Sequence, residues 1–184
     1  IARQRSPQAR VLLARPGETK GRDRAMSERG RRLADELAAL TAEVAEVVAG
    51  CSEEQWRRPC RNEGRTIGVV AFHIADGYRY ALAILDAAIS DGPYPGWVGR
   101  TVEQGATINA RQAAEHAGIT REEVLALLHA NATAADVFLR NLSDEQLDRE
   151  PSFAPGRTTA DLVERILLGH PRAHRPNVIP SLSD

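Results

Sequence analysis

Aromatic residues are scarce in this sequence, at 4% of the 184 residues. Apolar residues of all kinds nevertheless make up 42% of the chain. The core of the folded protein must therefore be filled mainly by alanine, leucine, valine and isoleucine. A chain of this length and composition suits a single domain with a buried core.

Cysteine is also rare, with only Cys51 and Cys60 in the chain. The two residues are nine positions apart and form no C-x-x-C pair. We favour two reduced thiols over a disulfide, as is usual inside the cell. Since neither cysteine lies near a histidine in the sequence, a structural zinc site closed by thiolates is not favoured either.

Long apolar runs and a large net charge are absent. No segment approaches the roughly 20 apolar residues that a membrane-spanning helix needs, and the chain does not open on a secretory signal pattern. We therefore expect a soluble, cytoplasmic protein that does not contact membranes. The formal net charge of −1 does not favour nucleic acid as a partner, because phosphate binding by a whole protein depends on excess positive charge.

The first 25 residues differ in composition from the rest of the chain. Residues 1–25 carry seven basic side chains against two acidic ones, together with several prolines and glycines. We predict a basic N-terminal extension over residues 1–25, followed by the main domain over residues 26–184. A basic arm that contacts nucleic acid is the lesser alternative, because most basic tails are simply solvated.

The rest of the chain has the periodicity of helices. Apolar residues recur every three or four positions in four long segments, which is the pattern of an amphipathic helix. These segments follow Ser27, Thr66, Thr120 and Thr158, each of which can cap a helix. We expect only a short helix over residues 106–116, and find no alternation typical of a useful β-strand. The pattern predicts an all-α four-helix bundle, a fold that places metal and cofactor sites in its core.

Three of the five histidines form a candidate metal site. His170 and His174 are four residues apart and would share one face of a helix. His73 lies in the apolar second helix, where a lone histidine is more often a hydrogen-bonded core residue than a ligand. Because another helix carries the histidine pair, we predict that all three imidazoles bind one divalent metal and leave a coordination position open, as catalytic metals require. We interpret His116 and His129 as non-ligands.

Two prolines interrupt the histidine pair. An interior proline lacks an N–H group, and its ring clashes with the carbonyl four residues earlier. Pro171 follows His170 directly, and Pro176 disfavours helical geometry at Arg175. We therefore expect the last helix to kink at Pro171 and to end near Arg175, which would tilt the histidines or spoil their convergence.

Several short segments, taken together, are similar to a known family. They are the W-x-x-P turn at 56–59, GRTIGVVAFHIADGY at 64–78, INARQAAEHAGITREEVLALL at 108–128, LSDEQLD at 142–148 and the H-x-x-x-H motif at 170–174. In order and spacing these segments resemble the DinB/YfiT-like superfamily, over residues 28–182. The resemblance implies an up-down-down-up four-helix bundle, a divalent metal on His73, His170 and His174, and a homodimer.

The resemblance also implies a class of activity. Family members of known activity include enzymes that use a low-molecular-weight thiol, such as mycothiol-dependent maleylpyruvate isomerase and bacillithiol transferases. We expect a zinc- or nickel-dependent enzyme that acts on a small molecule by thiol transfer, isomerisation or hydrolysis, with such a thiol as the candidate cosubstrate. The alternative is a non-catalytic dimeric module, binding a small molecule or serving in stress, whose metal site has degenerated.

Polar residues near the histidines are candidates to support them. Metal-bound imidazoles usually donate their second N–H group to a carboxylate or carbonyl. We expect Asp76, Asn109 and Glu115 to accept such hydrogen bonds. Tyr94 and Trp97, in the loop after the second helix, could cover a pocket, although ordinary loop packing is the favoured interpretation.

Overall fold

The protein is helical throughout the part that the computed structural model describes, residues 27–183, with side chains described to Val178. Between residues 27 and 183 there is no β-strand, and Pro59 and Thr66 form an isolated β-bridge. The basic extension predicted for residues 1–25 lies outside the described residues.

Four long helices build the bundle, and short helices lie in its connections. In chain order the helices are α1 (Glu28–Gly50), α2 (Glu53–Arg57), α3 (Ile67–Ser90), α4 (Val102–Glu115), α5 (Arg121–Arg140), α6 (Asp144–Leu147), α7 (Thr159–Leu162), a π-helical turn (Val163–Leu168) and α8 (Gly169–Ser183). The bundle consists of α1, α3, α5 and α8, and α7 and the π-helical turn lead directly into α8.

Side-chain caps fix where the long helices begin. Ser27, Thr66, Thr120 and Thr158 each accept a hydrogen bond from the backbone N–H group three residues later. These bonds satisfy N–H groups that have no partner inside the helix. The four starts predicted from the sequence are therefore confirmed.

Helix α4 is longer than the sequence analysis predicted. We expected a short helix over residues 106–116, but α4 begins at Val102. Thr101 accepts from the N–H group of Gln104, and the Gln104 side chain accepts from the backbone N–H group of Thr101. This reciprocal capping box starts the helix, and the prediction missed it.

The bundle has up-down-down-up topology, as predicted. Helices α5 and α8 each pack against both α1 and α3. The start of α1 lies beside the end of α5, where a Cβ atom on Gly30 would be 2.5 Å from the carbonyl oxygen of Leu139. The consecutive long helices α3 and α5 run in the same direction, because the long connection that carries α4 returns the chain to the end of the bundle where α3 begins.

Helix α8 does not end near Arg175, so that expectation was wrong. The helix continues to Ser183. Pro171 is the third residue of α8, and α8 directly follows the π-helical turn, Val163–Leu168. Just before the proline, the N–H group of Gly169 donates to the carbonyl of Glu164, five residues back. The π-helical turn thus changes the hydrogen-bond register immediately before the proline.

The core is aliphatic with few aromatic side chains, as the composition predicted. Tyr78 is the largest fully buried side chain between Ser27 and Val178, and its hydroxyl shares a 3.2 Å hydrogen bond with Thr41 across the bundle. Cys51 and Cys60 are both buried, and no disulfide joins them. Of the helices described, none is both long and apolar enough to cross a bilayer.

Candidate metal centre

Three imidazole rings meet between α3 and α8. His73 comes from α3, and His170 and His174 come from successive turns of α8. The three pairs of ring centroids are 4.8, 4.9 and 4.8 Å apart. One ligand atom from each ring lies within 4.8 Å of the others. The predicted convergence of these rings is therefore present, despite the prolines.

A glycine makes room for the central ring. Gly77 lies one turn after His73 on α3 and faces α8. A Cβ atom at Gly77 would lie 2.5 Å from Cε1 and 2.7 Å from Nδ1 of His170, well inside van der Waals contact. Only glycine lets α3 approach α8 closely enough for the His170 ring to reach His73.

His73 is oriented by a chain of three polar side chains. Its Nδ1 atom lies 2.9 Å from Oε1 of Gln112. The Nε2 atom of Gln112 donates to Asp76 at 3.0 Å. Both oxygens of Asp76 accept from Arg79, at 2.9 and 3.1 Å. Because Gln112 lies on α4, the capping box that starts α4 helps to position Gln112 at the site.

This series of hydrogen bonds determines which nitrogen of His73 carries the proton. The carboxylate of Asp76 can only accept, so the NH₂ group of Gln112 faces it and Oε1 faces His73. Nδ1 of His73 therefore donates, and Nε2 keeps its lone pair. Burial lowers the pKa of His73 to about 4 against the opposing effect of the Gln112 hydrogen bond. The ring is thus neutral at pH 7 and able to bind a cation.

His174 is oriented by a buried carboxylate. Glu63 accepts from Nδ1 of His174 at 2.6 Å, from Asn177 at 3.0 Å and from Arg65 at 2.5 Å. Burial opposes ionisation of Glu63, but these hydrogen bonds outweigh it and lower the pKa to about 2. The charged carboxylate holds the proton of His174 on Nδ1 and leaves Nε2 as the ligand atom.

His170 lies between the other two rings. Its Nε2 atom is 3.0 Å from Nε2 of His73. Its Nδ1 atom is buried and has no hydrogen-bond partner among the described residues. Burial, with the neighbouring His73 and His174 as the next causes, lowers the pKa of His170 to about 3. His170 is therefore also neutral at pH 7.

These residues fit a divalent metal. Neutral imidazole nitrogens suit zinc and nickel. Two nitrogens bound to tetrahedral zinc at the usual bond length are separated by about 3.3 Å, close to the 3.0 Å between His73 and His170. Two of the three rings have their second nitrogen fixed by a polar partner, as metal-ligating histidines do.

Comparison with known proteins identifies the family. The DinB superfamily matches residues 36–176. The chain belongs to the DinB superfamily. Among solved structures it is similar to YfiT from Bacillus subtilis, described as a probable metal-dependent hydrolase with an unusual four-helix bundle topology. That match has 19% identity and a TM-score of 0.65, and covers 90% of this chain and 93% of that one. No curated protein matches the chain significantly.

The three residues predicted to support the histidines of this DinB superfamily member lie in three different places. Asp76 acts through Gln112 rather than contacting a histidine directly. Asn109 lines the cavity beside the site. Glu115 is exposed at the end of α4 and lies outside the histidine cluster. The interpretation of His129 as a non-ligand agrees with its exposed position on α5.

His116 also lies apart from the histidine cluster. It follows α4 and stacks on Phe72, with ring centroids 3.7 Å apart. Sequence reasoning missed two polar residues that contact the cluster, Gln112 and Glu63. Gln112 lies three residues after Asn109 and so shares a face of α4 with it, which was a usable signal. Glu63 lies in an irregular loop, where no periodicity points to it.

A cavity of about 380 Å³ opens beside the histidines. His73 and His170 form part of its wall, and Val98 and Gly99 of the loop after α3 form another part. Trp97 is half-exposed and packs on the ring of Tyr80, with centroids 5.0 Å apart. The DinB bundle therefore places its candidate metal centre at the edge of a chamber large enough for a small molecule.

Proposed function

We propose that the protein is a divalent-metal-dependent enzyme that acts on a small molecule at His73, His170 and His174. The observation that supports this proposal is the meeting of three imidazole rings beside a cavity. Three histidine ligands leave a coordination position for a reactant, which distinguishes catalytic from structural metal sites. Zinc and nickel are the candidate ions.

The chain's own residues would hold and orient the ion's ligands. Gln112 keeps the Nε2 lone pair of His73 directed into the site, and Glu63 does the same for His174. A divalent cation on these nitrogens supplies Lewis acidity, which makes a nucleophile available at neutral pH. The apolar cavity wall lowers the local dielectric constant around a bound substrate and so strengthens its electrostatic interactions with the site.

Hydrolysis and thiol transfer both suit this site. Each reaction needs an activated nucleophile and an electrophilic substrate in the cavity. The description of YfiT as a probable metal-dependent hydrolase favours hydrolysis as the first reaction to test. The resemblance to thiol-dependent enzymes supports a low-molecular-weight thiol as the cosubstrate to test second.

The proposal is tested by measuring both reactions in metal-free and metal-loaded protein. We would assay hydrolysis of p-nitrophenyl esters, and conjugation of mycothiol, bacillithiol or glutathione to an aryl halide. We expect one activity to require zinc or nickel, to vanish in His170→Ala and to persist in His129→Ala, which changes an exposed histidine outside the site. Activity that survives both metal removal and His170→Ala would contradict the proposal.

If the protein is instead a non-catalytic binding module, the same assays should give the opposite result. Metal-loaded protein would then bind small molecules without turning them over. Failure of every substrate across a broad panel of esters and electrophiles, with the three-histidine site fully loaded, would favour that module.

A further inference from the structure

The cavity beside the histidines is elongated. Its lining comes from residues 73–84 of α3, 105–112 of α4 and 165–173 of the π-helical turn and α8. Because α3 and α8 are antiparallel, all three segments extend from the histidine end in the same direction. The rise of a helix is 1.5 Å per residue, so the lining of α4 spans about 10 Å. The cavity thus has a histidine end and a far end.

The wall between the two ends is apolar. Most of its side chains are aliphatic, namely Ala81, Ile84, Val98, Ile108, Ile166 and Ala173, and Tyr80 adds an aromatic ring. The part of the lining that the structure describes contains no aspartate or glutamate. A ligand in this chamber would meet apolar surface in its middle and no negative charge from the lining.

Arg165 is the single ionic side chain among the described residues that line the cavity. It lies five residues before His170, about 7 Å along the helix axis. Other exposed arginines near the site are paired, Arg79 with Asp76 and Arg172 with Glu36 and Glu164. Arg165 forms no ion pair with any residue that the structure describes, so its guanidinium can bind a ligand.

A neutral donor lies in the same lining. Asn109 of α4 faces the cavity, and its amide makes no hydrogen bond to a described residue. A guanidinium and an amide together supply several N–H donors, which suit the oxygens of a carboxylate or phosphate.

We propose that the cavity binds an amphipathic anion, with its carboxylate or phosphate at Arg165, its apolar body along the aliphatic wall and its reacting group at the histidines. This inference deepens the proposed function and rests on it. The separation between the anionic and reacting groups is about 7 to 10 Å, from the axial rise between Arg165 and His170 and the length of the α4 lining.

The test compares two ligands that differ only in charge. 4-Phenylbutanoate and 4-phenylbutan-1-ol have the same apolar body, and calorimetry measures the affinity of each. Since carboxylates also coordinate metals, the titrations use metal-free protein first and zinc-loaded protein second. We expect metal-free protein to bind the carboxylate about tenfold or more tightly than the alcohol, the effect of one charge-assisted hydrogen bond.

Two substitutions test whether Arg165, rather than the general charge of the protein, causes the preference for the carboxylate. Arg165→Gln should reduce the preference for the carboxylate to below about threefold. Arg111→Gln should preserve it, because Arg111 is an exposed arginine on α4 outside the cavity lining. Both variants change exposed side chains, and circular dichroism verifies that they fold.

Two outcomes would overturn the inference. One is a preference for the carboxylate that Arg165→Gln leaves unchanged. The other is a preference that appears only when zinc is bound, which would place the carboxylate on the metal. Binding to metal-free protein is measured without turnover, so a failure of the proposed catalytic function would be seen separately, in the ester and thiol assays.

Discussion

Substituting Gly77 by alanine should disable the metal site while leaving the bundle folded. The added Cβ atom would lie 2.5 Å from Cε1 and 2.7 Å from Nδ1 of His170. Ordinary contact between such atoms begins near 3.4 Å, so the ring must move by close to 1 Å. The backbone of α3 is held on both sides by buried packing, so the displacement falls mainly on the His170 side chain.

The expected loss of metal affinity follows from that displacement. Metal–ligand distances tolerate deviations of about 0.2 Å, far less than the shift that Gly77→Ala imposes. We expect zinc affinity to fall by about 100-fold or more, beyond the roughly 10- to 100-fold loss seen when only a supporting residue is removed. The free energy of unfolding should change little. The higher helix propensity of alanine stabilises the variant by about 1 kcal/mol, which partly offsets the cost of about 1 to 3 kcal/mol for overpacking.

The assay is a competition titration of metal-free protein with zinc and a chromophoric chelator, beside a urea denaturation curve. Gly50→Ala is the matched control, since Gly50 ends α1 and a Cβ atom there would meet nothing within 4 Å. The control should bind zinc like the wild type. If Gly77→Ala also bound zinc within about threefold of the wild type, His170 would not be a ligand in the geometry described.

Three further predictions concern the residues around the histidines. Glu63→Gln removes the carboxylate partner of Arg65, at a place where both side chains are under 10% exposed. The substitution should lower the free energy of unfolding by about 3 kcal/mol or more, because it leaves a buried charge without its partner. A change below about 1 kcal/mol in urea denaturation would contradict this. Gln112→Ala removes the acceptor of His73 and should weaken zinc binding about 10- to 100-fold, and unchanged affinity in the chelator assay would refute that role. Because burial lowers the pKa values of His73 and His170 to about 4 and about 3, the unfolded chain binds more protons than the folded one below about pH 6.5. Metal-free protein should therefore lose on the order of 5 kcal/mol between pH 7 and pH 4.5, and denaturation curves that coincide at both pH values would contradict the neutral, buried assignment.

The fold was predictable because it depends on local signals. Caps at Ser27, Thr66, Thr120 and Thr158 and three- and four-residue spacings mark the four long segments, and each signal lies within one helix. The error at α8 came from treating Pro171 as an interior residue of one continuous α-helix. A π-helical turn shifts the hydrogen-bond register directly before the proline, and the local spacing of residues does not predict that turn.

The candidate site was only partly predictable. The three histidines could be found because helical spacing and the proposed bundle bring them together. Their partners depend on tertiary contacts, so Gln112 required the true start of α4, and Glu63 required the position of an irregular loop against α8. Arg165 gave no signal in the sequence, because its importance follows from the cavity it lines.

The most direct test of the account is the metal content of protein purified without a metal-affinity tag. Elemental analysis should find about one zinc or nickel ion per chain, lost in His73→Ala and His174→Ala and retained in His129→Ala. No metal in the wild type, and no uptake after incubation with zinc or nickel, would contradict the three-histidine centre on which the proposed function depends.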